Sequence, residues 1–306
     1  MKVDVISPRG YCFGVINAID TALKAKAENP QEKINILGMI VHNQYIVDAL
    51  KNKGINTIYE KNKSRLELLQ MIEDGVVVLT AHGSAPEVKK AAIDKGLIVY
   101  DATCKDVKKT HDLVLNYLNE GYDIIYFGKK NHPESDAIKG VANNNIHIIS
   151  NIEDALALKI NNDKILLTNQ TTISYLDAEK VFEQIKDKYP NVVVAEEICN
   201  ATRVRQQAIS KIADDVDAVY IVGDPSSNNS TRLKMLAEND NRKAFLIESV
   251  TEIRIEDLVG FNKVAVSSGA STPTYLTQQV IKYLQSFNKD NKDTYQKPEI
   301  DYNKII

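Results

Sequence analysis

The chain has 306 residues, 43% hydrophobic and 26% charged, with 41 acidic against 38 basic residues and a formal net charge of −3. That length exceeds a usual single core and points to two or three small domains, while the near-neutral balance gives no general attraction for nucleic acid. No apolar run reaches the length of a membrane span and a first strand from Val3 leaves no room for a signal peptide; three widely spaced cysteines argue for a reducing, cytoplasmic setting.

In chain order, the strand from Val3 runs into SPRGYCFG, where Cys12 opens a helix over 14–27 striped by Val15, Ile19, Ala22 and Leu23. Strand INILG at 34–38, a helix, strand INTIY at 55–59 and a closing strand from Val76 into TAHGS follow. The pattern then restarts. YDATCKDV sets Cys104 after an apolar strand, ahead of a helix over 107–119 with Val107, Val114, Leu115 and Leu118. Strands IIYFG at 124–128 and IHIIS at 146–150 lead to ILLTNQTT from Ile165. A third round places Cys199 in EEICNATR, a helix over 201–213 with Val204, Ala208 and Ile212, strands VYIVG at 219–223 and AFLIE at 244–248, and VAVSSGAST from Val264. The last 20 residues are polar, with Tyr295, Tyr302, Ile305 and Ile306 available to anchor a tail.

The cysteines lie 92 and 95 residues apart, and Gly38, Gly128 and Gly223 follow them by 26, 24 and 24 residues. Val- and Ile-rich strands between helical stretches predict parallel α/β units, here repeated three times. The expected fold is α/β, with three pseudo-threefold-related small domains around one central metal or iron–sulfur cluster. Domain bounds are expected at 1–96, 97–193 and 194–285, with 286–306 a tail across the site. Ligands of parallel sheets bind beyond the carboxyl ends of strands. Residues after the glycines and after the closing strands should therefore line the pocket.

A helix N-terminus favours a negative ligand, which suits metal binding by cysteine. One cysteine alone would read as a small buried hydrophobe; three at matched positions read as a common centre. Zinc is the rival metal, with His42, His82, His111 or His132 as fourth ligand, although no Cys-x-x-Cys spacing supports it. His42 and His132 each sit four residues beyond a landmark glycine, where the third repeat has Ser227 in GDPSSNNS. His82 follows the first closing strand, where the others offer Gln170-Thr171-Thr172 and Ser268-Gly269-Ala270-Ser271. Histidines, hydroxyls and amides in such turns make receptors for phosphate or diphosphate. Glu134, two residues after His132, is the best proton donor: burial and nearby sulfur should raise its pKa, and a neighbouring histidinium should oppose that. Thr171 is placed to donate to a substrate oxygen or relay a proton. His111, seven residues after Cys104, reads as a surface or contact residue. No Walker A or GxGxxG fingerprint is present, so neither ATP nor a nicotinamide is inferred.

At these residues the chain resembles the LytB family, reductases of 4-hydroxy-3-methylbut-2-enyl diphosphate in the non-mevalonate isoprenoid pathway. The resemblance covers roughly residues 3–285 and rests on PRGYCFGV, HN at 42–43, AHGS, DATC, NHPE, QTT, ICNAT with RQ at 205–206, SSNNS and SGAST, in that order. It implies a [4Fe–4S] cluster on Cys12, Cys104 and Cys199, whose fourth iron binds the substrate hydroxyl, and products isopentenyl and dimethylallyl diphosphate. It implies diphosphate contacts from His42, His82, His132, Ser227, Asn228, Asn229 and Ser271, catalytic roles for Glu134 and Thr171, and reduced ferredoxin or flavodoxin as electron donor. Three features depart from the family pattern: Asn228 where a second serine is common, charged Lys105 and Asp106 after Cys104, and bulky Phe13, expected to pack beside the cluster. Two rival functions are a zinc-dependent hydrolase of small diphosphates and an iron–sulfur redox sensor; the sequence has no helix-turn-helix pattern or basic patch for a DNA-binding sensor.

Overall fold

In the computed structural model, which describes residues 1–142, 144–238 and 242–306, the apolar runs become short strands. They are β1 (Lys2–Val5), β2 (Ile34–Leu37), β3 (Ile55–Ile58), β4 (Val76–Leu79), β5 (Ile98–Asp101), β6 (Asp123–Phe127), β7 (Ile146–Ile149), β8 (Ile165–Asn169), β9 (Val193–Val194), β10 (Ala218–Val222), β11 (Lys243–Ile247) and β12 (Lys263–Ser268). Every pairing is parallel, in three four-stranded sheets of order β3-β2-β4-β5, β7-β6-β8-β9 and β11-β10-β12-β1. Strands β2, β4, β8 and β10 are buried along their whole length, as expected where helices cover both faces of a sheet. Three similar α/β modules are therefore present.

Sheet membership corrects the expected domain bounds. In each module the chain lays down a central strand, adds a neighbour on one side and crosses to the other side; a fourth strand beyond it comes next in the chain in two modules and from the chain's start in the third. That fourth strand leads into a cysteine: β5 into Cys104, β9 into Cys199, and β1 into Cys12. The cut at 96/97 assigns β5 to the wrong module, the cut at 193/194 splits β9, and β1 completes the last sheet rather than the first. The sequence repeat begins at each cysteine, whereas the structural module ends just before it. The helix expected over 201–213 also stops early, at Ile209, leaving Ile212 buried in the following turn.

The chain divides into two compact units: Met1–Val15, His42–Lys53 and Asn200–Ile306 form one, and Ile16–Val41 with Gly54–Cys199 the other. The second unit contains the β2–β5 and β6–β9 sheets. In the β6–β9 sheet, strand alternation sorts residues onto two faces. Ile125, Phe127, Ile165 and Leu167 pack against Ala178, Val181, Phe182 and Ile185 of helix Tyr175–Lys188. Ile124, Tyr126 and Leu166 face the other way, against Val114 of helix Lys105–Asn119 and Ile138 of helix Pro133–Lys139. The second face thus brings Tyr126 to the helix that carries Glu134.

The first unit contains the β10–β12 sheet and the C-terminal segment. Phe287 and Tyr295 stack with ring centroids 5.4 Å apart, the Gln279 amide donates to the Glu299 carbonyl at 2.9 Å, and Tyr45 lies beside Tyr302 with centroids 5.8 Å apart. Ile305 is buried, and its carbonyl accepts from the Tyr11 hydroxyl at 2.8 Å. The tail is docked on this unit, one residue away from Cys12.

Candidate active site

Parallel sheets of this order change direction between the first and third strands, and the crevice there is where ligands bind. The rims are the loops after β2 and β4, after β6 and β8, and after β10 and β12. Loops after the first strands carry His42, His132 with Glu134, and Ser227-Asn228-Asn229; loops after the third strands carry His82, Thr171 and Ser271. Each rim contributes polar groups of a different kind.

The landmark glycines have steric reasons. A Cβ at Gly128 would lie 2.8 Å from the Ser135 hydroxyl, and one at Gly223 would lie 2.3 Å from the Ser230 hydroxyl. Ser135 and Ser230 each come seven residues after the glycine, so the helix that follows can start against the strand end. At Gly38 the occupant is Arg65: a Cβ there would fall 1.5 Å from its guanidinium, and φ is +92°. Burial lowers the Arg65 pKa to about 10, with Asp136 opposing the shift, so the guanidinium is charged at neutral pH. Arg65 also donates to the Thr80 hydroxyl at 3.3 Å.

The three cysteines occupy equivalent junctions. The Cys104 amide donates to the Ala81 carbonyl, the Cys199 amide to Thr171, and the Cys12 amide to Ala270, each at 3.0 Å. In every case the acceptor lies in the loop after the third strand of the same sheet. Each cysteine is partly exposed, none is in a disulfide, and each is followed at once by a helix. Thiolate sulfur of this kind, at a matched position in each of three modules, is the soft ligand that metals and iron–sulfur clusters take. In the second unit, Lys109 on the helix after Cys104 forms a 3.0 Å ion pair with Glu197, two residues before Cys199. The Glu197 amide in turn donates to the Asn169 side chain at 3.0 Å. Phe13, directly after Cys12, is 64% exposed, and Lys105, directly after Cys104, is exposed as well.

The most completely built group lies at the β6–β8 rim. His132 caps helix Pro133–Lys139, its Nδ1 accepting the Glu134 amide proton at 3.2 Å. A nitrogen that accepts is unprotonated, so the proton of neutral His132 sits on Nε2 and can be donated. The His132 and His82 rings meet edge to face with centroids 5.6 Å apart, and each offers a ring nitrogen within 4.8 Å of the other. Glu134 is 1% exposed. Its Oε1 accepts from the Thr171 amide at 2.8 Å and the Tyr126 hydroxyl at 3.1 Å; its Oε2 accepts from the Thr171 hydroxyl at 3.0 Å.

Burial pushes the Glu134 pKa up to about 7, against the pull of the Thr171 and Tyr126 hydrogen bonds. The groups that oppose burial, the Thr171 amide and hydroxyl and the Tyr126 hydroxyl, are all neutral donors. Tyr126 was not legible as a site residue. Its one signal was a hydroxyl inside the otherwise apolar run IIYF, on a fully buried strand position that requires a partner.

In the first unit, the β10–β12 rim is organised differently. The Ser271 hydroxyl donates to the His42 carbonyl at 3.0 Å, and Asn43 caps helix Gln44–Asn52 by accepting from the Ile46 amide at 3.2 Å. Ser227, Asn228 and Asn229 are all buried at the start of helix Asn228–Glu238. Both polar atoms of the Asn229 side chain are enclosed without a hydrogen-bond partner among the described residues. A buried amide in that state costs roughly 1–3 kcal/mol, which a polar ligand would relieve.

Alignment by the cysteine-bonded carbonyls shows that Thr172 matches His82 and Ser271. Sequence reasoning did not single it out, although its hydroxyl accepts from the Gln170 amide at 2.8 Å. Of the two expectations for His111, surface or contact, the half-buried ring takes the contact. Burial lowers its pKa, and its ring lies 3.1 Å from where a Gly83 Cβ would stand.

Comparison with known proteins agrees with this geometry. A family model described as LytB protein matches residues 3–285. A 4-hydroxy-3-methylbut-2-enyl diphosphate reductase of Bacillus velezensis is 47% identical over 298 residues, 97% of this chain and 94% of the relative. One from Anoxybacillus flavithermus is 47% identical over 300 residues, with the same coverage. Among solved structures, E-1-hydroxy-2-methyl-but-2-enyl-4-diphosphate reductase from Plasmodium falciparum superposes with a TM-score of 0.87 at 32% identity, covering 94% of this chain and 88% of that one. An (E)-4-hydroxy-3-methyl-but-2-enyl diphosphate reductase structure gives 0.65 at 31% identity, covering 94% of this chain and 100% of that one.

Proposed function

This chain belongs to the LytB family, and on that footing we propose that it reduces (E)-4-hydroxy-3-methylbut-2-enyl diphosphate to isopentenyl and dimethylallyl diphosphate. The reaction breaks the C–O bond to the substrate's hydroxyl and consumes two electrons and two protons. One proton leaves with the oxygen as water, and the other ends on carbon. The observation that carries the reading is Glu134, an enclosed carboxyl whose pKa of about 7 lets it hold a proton at neutral pH and give it up.

In this reading Glu134 passes its proton through the Thr171 hydroxyl, 3.0 Å away, towards the departing oxygen. Thr171 can accept from the acid and donate onward because a hydroxyl does both. Neutral His132 donates from Nε2, and together with His42 and His82 it receives the diphosphate. Ser227, Asn228, Asn229 and Ser271 complete the receptor, with Asn229 gaining the partners it lacks. Cys12, Cys104 and Cys199 would hold a [4Fe–4S] cluster, which when bound supplies the electrons and a Lewis-acidic iron for the leaving oxygen. The matched cysteine junctions support three modules arranged pseudo-threefold about that centre.

Reduced ferredoxin or flavodoxin is the proposed electron donor. A reducing cytoplasm is the proposed compartment; no helix among the described residues is long and apolar enough to cross a membrane. The test is anaerobic turnover with a strong artificial reductant and analysis of both products. Iron with acid-labile sulfide and the two five-carbon diphosphates support the reading. Zinc without sulfide, or no reduction of the allylic diphosphate, overturns it.

A further inference from the structure

Between β10 and the Ser227-Asn228-Asn229 segment lies Asp224, 6% exposed, in a loop whose diphosphate role does not account for it. Its Oδ1 accepts from the Ser226 amide at 2.7 Å and the Ser226 hydroxyl at 2.5 Å. Its Oδ2 accepts from the Gln44 amide at 3.1 Å. Gln44 is the first residue of helix Gln44–Asn52, two residues beyond His42. On its other side, His42 is held through its carbonyl by the Ser271 hydroxyl, and the Tyr45 hydroxyl donates to the Ser249 hydroxyl at 3.0 Å. His42 follows β2 in sequence, yet the segment His42–Lys53 packs with the unit that contains β10 and β12.

We infer that Asp224 is a positioning residue for the anion receptor: one carboxylate binds the His42 loop and the Ser227-Asn229 loop together, so that their donors keep a fixed spacing. This rests on the reductase reading above. A carboxylate is an unexpected choice beside a dianionic ligand, since its charge opposes binding. What only a carboxylate offers here is two acceptor oxygens for amides that arrive from two different loops. An asparagine must point its NH₂ at one of those amides, donor against donor. The two possible roles therefore predict opposite signs. A latch makes loss of the charge weaken diphosphate binding; a mere repulsive charge makes it strengthen binding.

The test uses the holoenzyme without oxygen and compares Asp224→Asn with the unaltered chain, reading kcat, KM and equilibrium binding of inorganic pyrophosphate. Asp224→Asn should raise KM and the pyrophosphate Kd by about tenfold, ~1.4 kcal/mol, with kcat within about twofold. A second variant, Gln44→Pro, deletes the amide proton that meets Asp224, and with it an exposed side-chain bond to Asp48 at 2.8 Å that Gln44→Ala removes alone as the control. Proline suits the first helical position, and Asn43 before it is already extended at φ −166° and ψ 115°. It should weaken pyrophosphate binding in the same direction even if Asp224→Asn folds poorly. Unchanged Kd in Gln44→Pro, tighter binding in Asp224→Asn, or a fall in kcat with Kd preserved overturns the latch. If the unaltered enzyme fails to turn over the allylic diphosphate, the reductase reading falls, and the pyrophosphate measurements still decide the role of Asp224.

Discussion

At the β6–β8 rim, each carboxylate oxygen of Glu134 has a protein partner; at the β10–β12 rim, both polar atoms of Asn229 have none among the described residues. The two rims occupy the same place in sheets of the same order, and each contributes the residues after a landmark glycine. One has used its donors internally to hold an acid at a chosen pKa. The other ties Ser271 to the His42 carbonyl and leaves the Asn229 amide enclosed with no partner among the described residues. A fully bonded acid and an unpartnered amide are thus built from one backbone plan by changing which side chains face inward.

Substitutions should separate the rims, and both should depend on the cysteine junctions. The largest effect is expected from Cys104→Ser, which removes a sulfur from one of three matched positions: anaerobic iron and sulfide analysis should show cluster loss, and reductase activity should vanish. Glu134→Gln comes next. It should keep iron and sulfide but lower kcat by roughly 10²–10⁴-fold, with KM little changed. Steady-state kinetics at saturating substrate checks this, and near-normal turnover would remove Glu134 from the proton path. Asn229→Ala should do the reverse, raising KM by about tenfold while kcat holds, since it deletes a ligand donor and no acid.

Two smaller effects follow from the raised Glu134 pKa. If the protonated acid is the active form, kcat should decline as pH rises through about 7. Tyr126 donates to the carboxylate and lowers its pKa, so Tyr126→Phe should move that decline to higher pH; a pH–rate profile reads the shift. For stability, the folded carboxyl keeps its proton where an unfolded one has lost it, so its contribution is full below about 4.5 and is lost as pH rises to about 7. Glu134→Gln, which never ionises, should gain on the unaltered protein across that window by about 3 kcal/mol and hold a constant margin above it. Denaturant midpoints at pH 4.5, 6 and 8 test the curve.

Much of this was legible because it is local. A Val- and Ile-rich run ending in glycine is a strand that stops where a helix must approach, and the steric contacts at Gly128 and Gly223 bear that out. The cysteine junctions were legible as strand followed by helix. Their sheet membership was not, because hydrophobic patterning carries no record of distant pairing: nothing in KVDV says that it pairs with KVAV from Lys263. Glu134 and Thr171 were singled out, and the structure brings them within 3.0 Å. Tyr126 and Asp224 escaped, since an aromatic in a buried strand and an aspartate in a turn both have ordinary explanations until their partners are seen. His111 was left between surface and contact, because a polar side chain on an amphipathic helix allows both, and Gly83 supplies the room for the contact.

That the second residue of the chain pairs with Lys263 sets a timetable for biogenesis. As the ribosome extends the polypeptide, the β2–β5 and β6–β9 sheets can each close soon after their own last strand emerges. The strand ahead of Cys12 must wait until β12 has been made, because the Gly10 amide is fixed by Ser268, 258 residues downstream, and the Cys12 amide by Ala270. Two of the three cysteine junctions can therefore form before the β12 strand is made, and the one at Cys12, first in the chain, forms last.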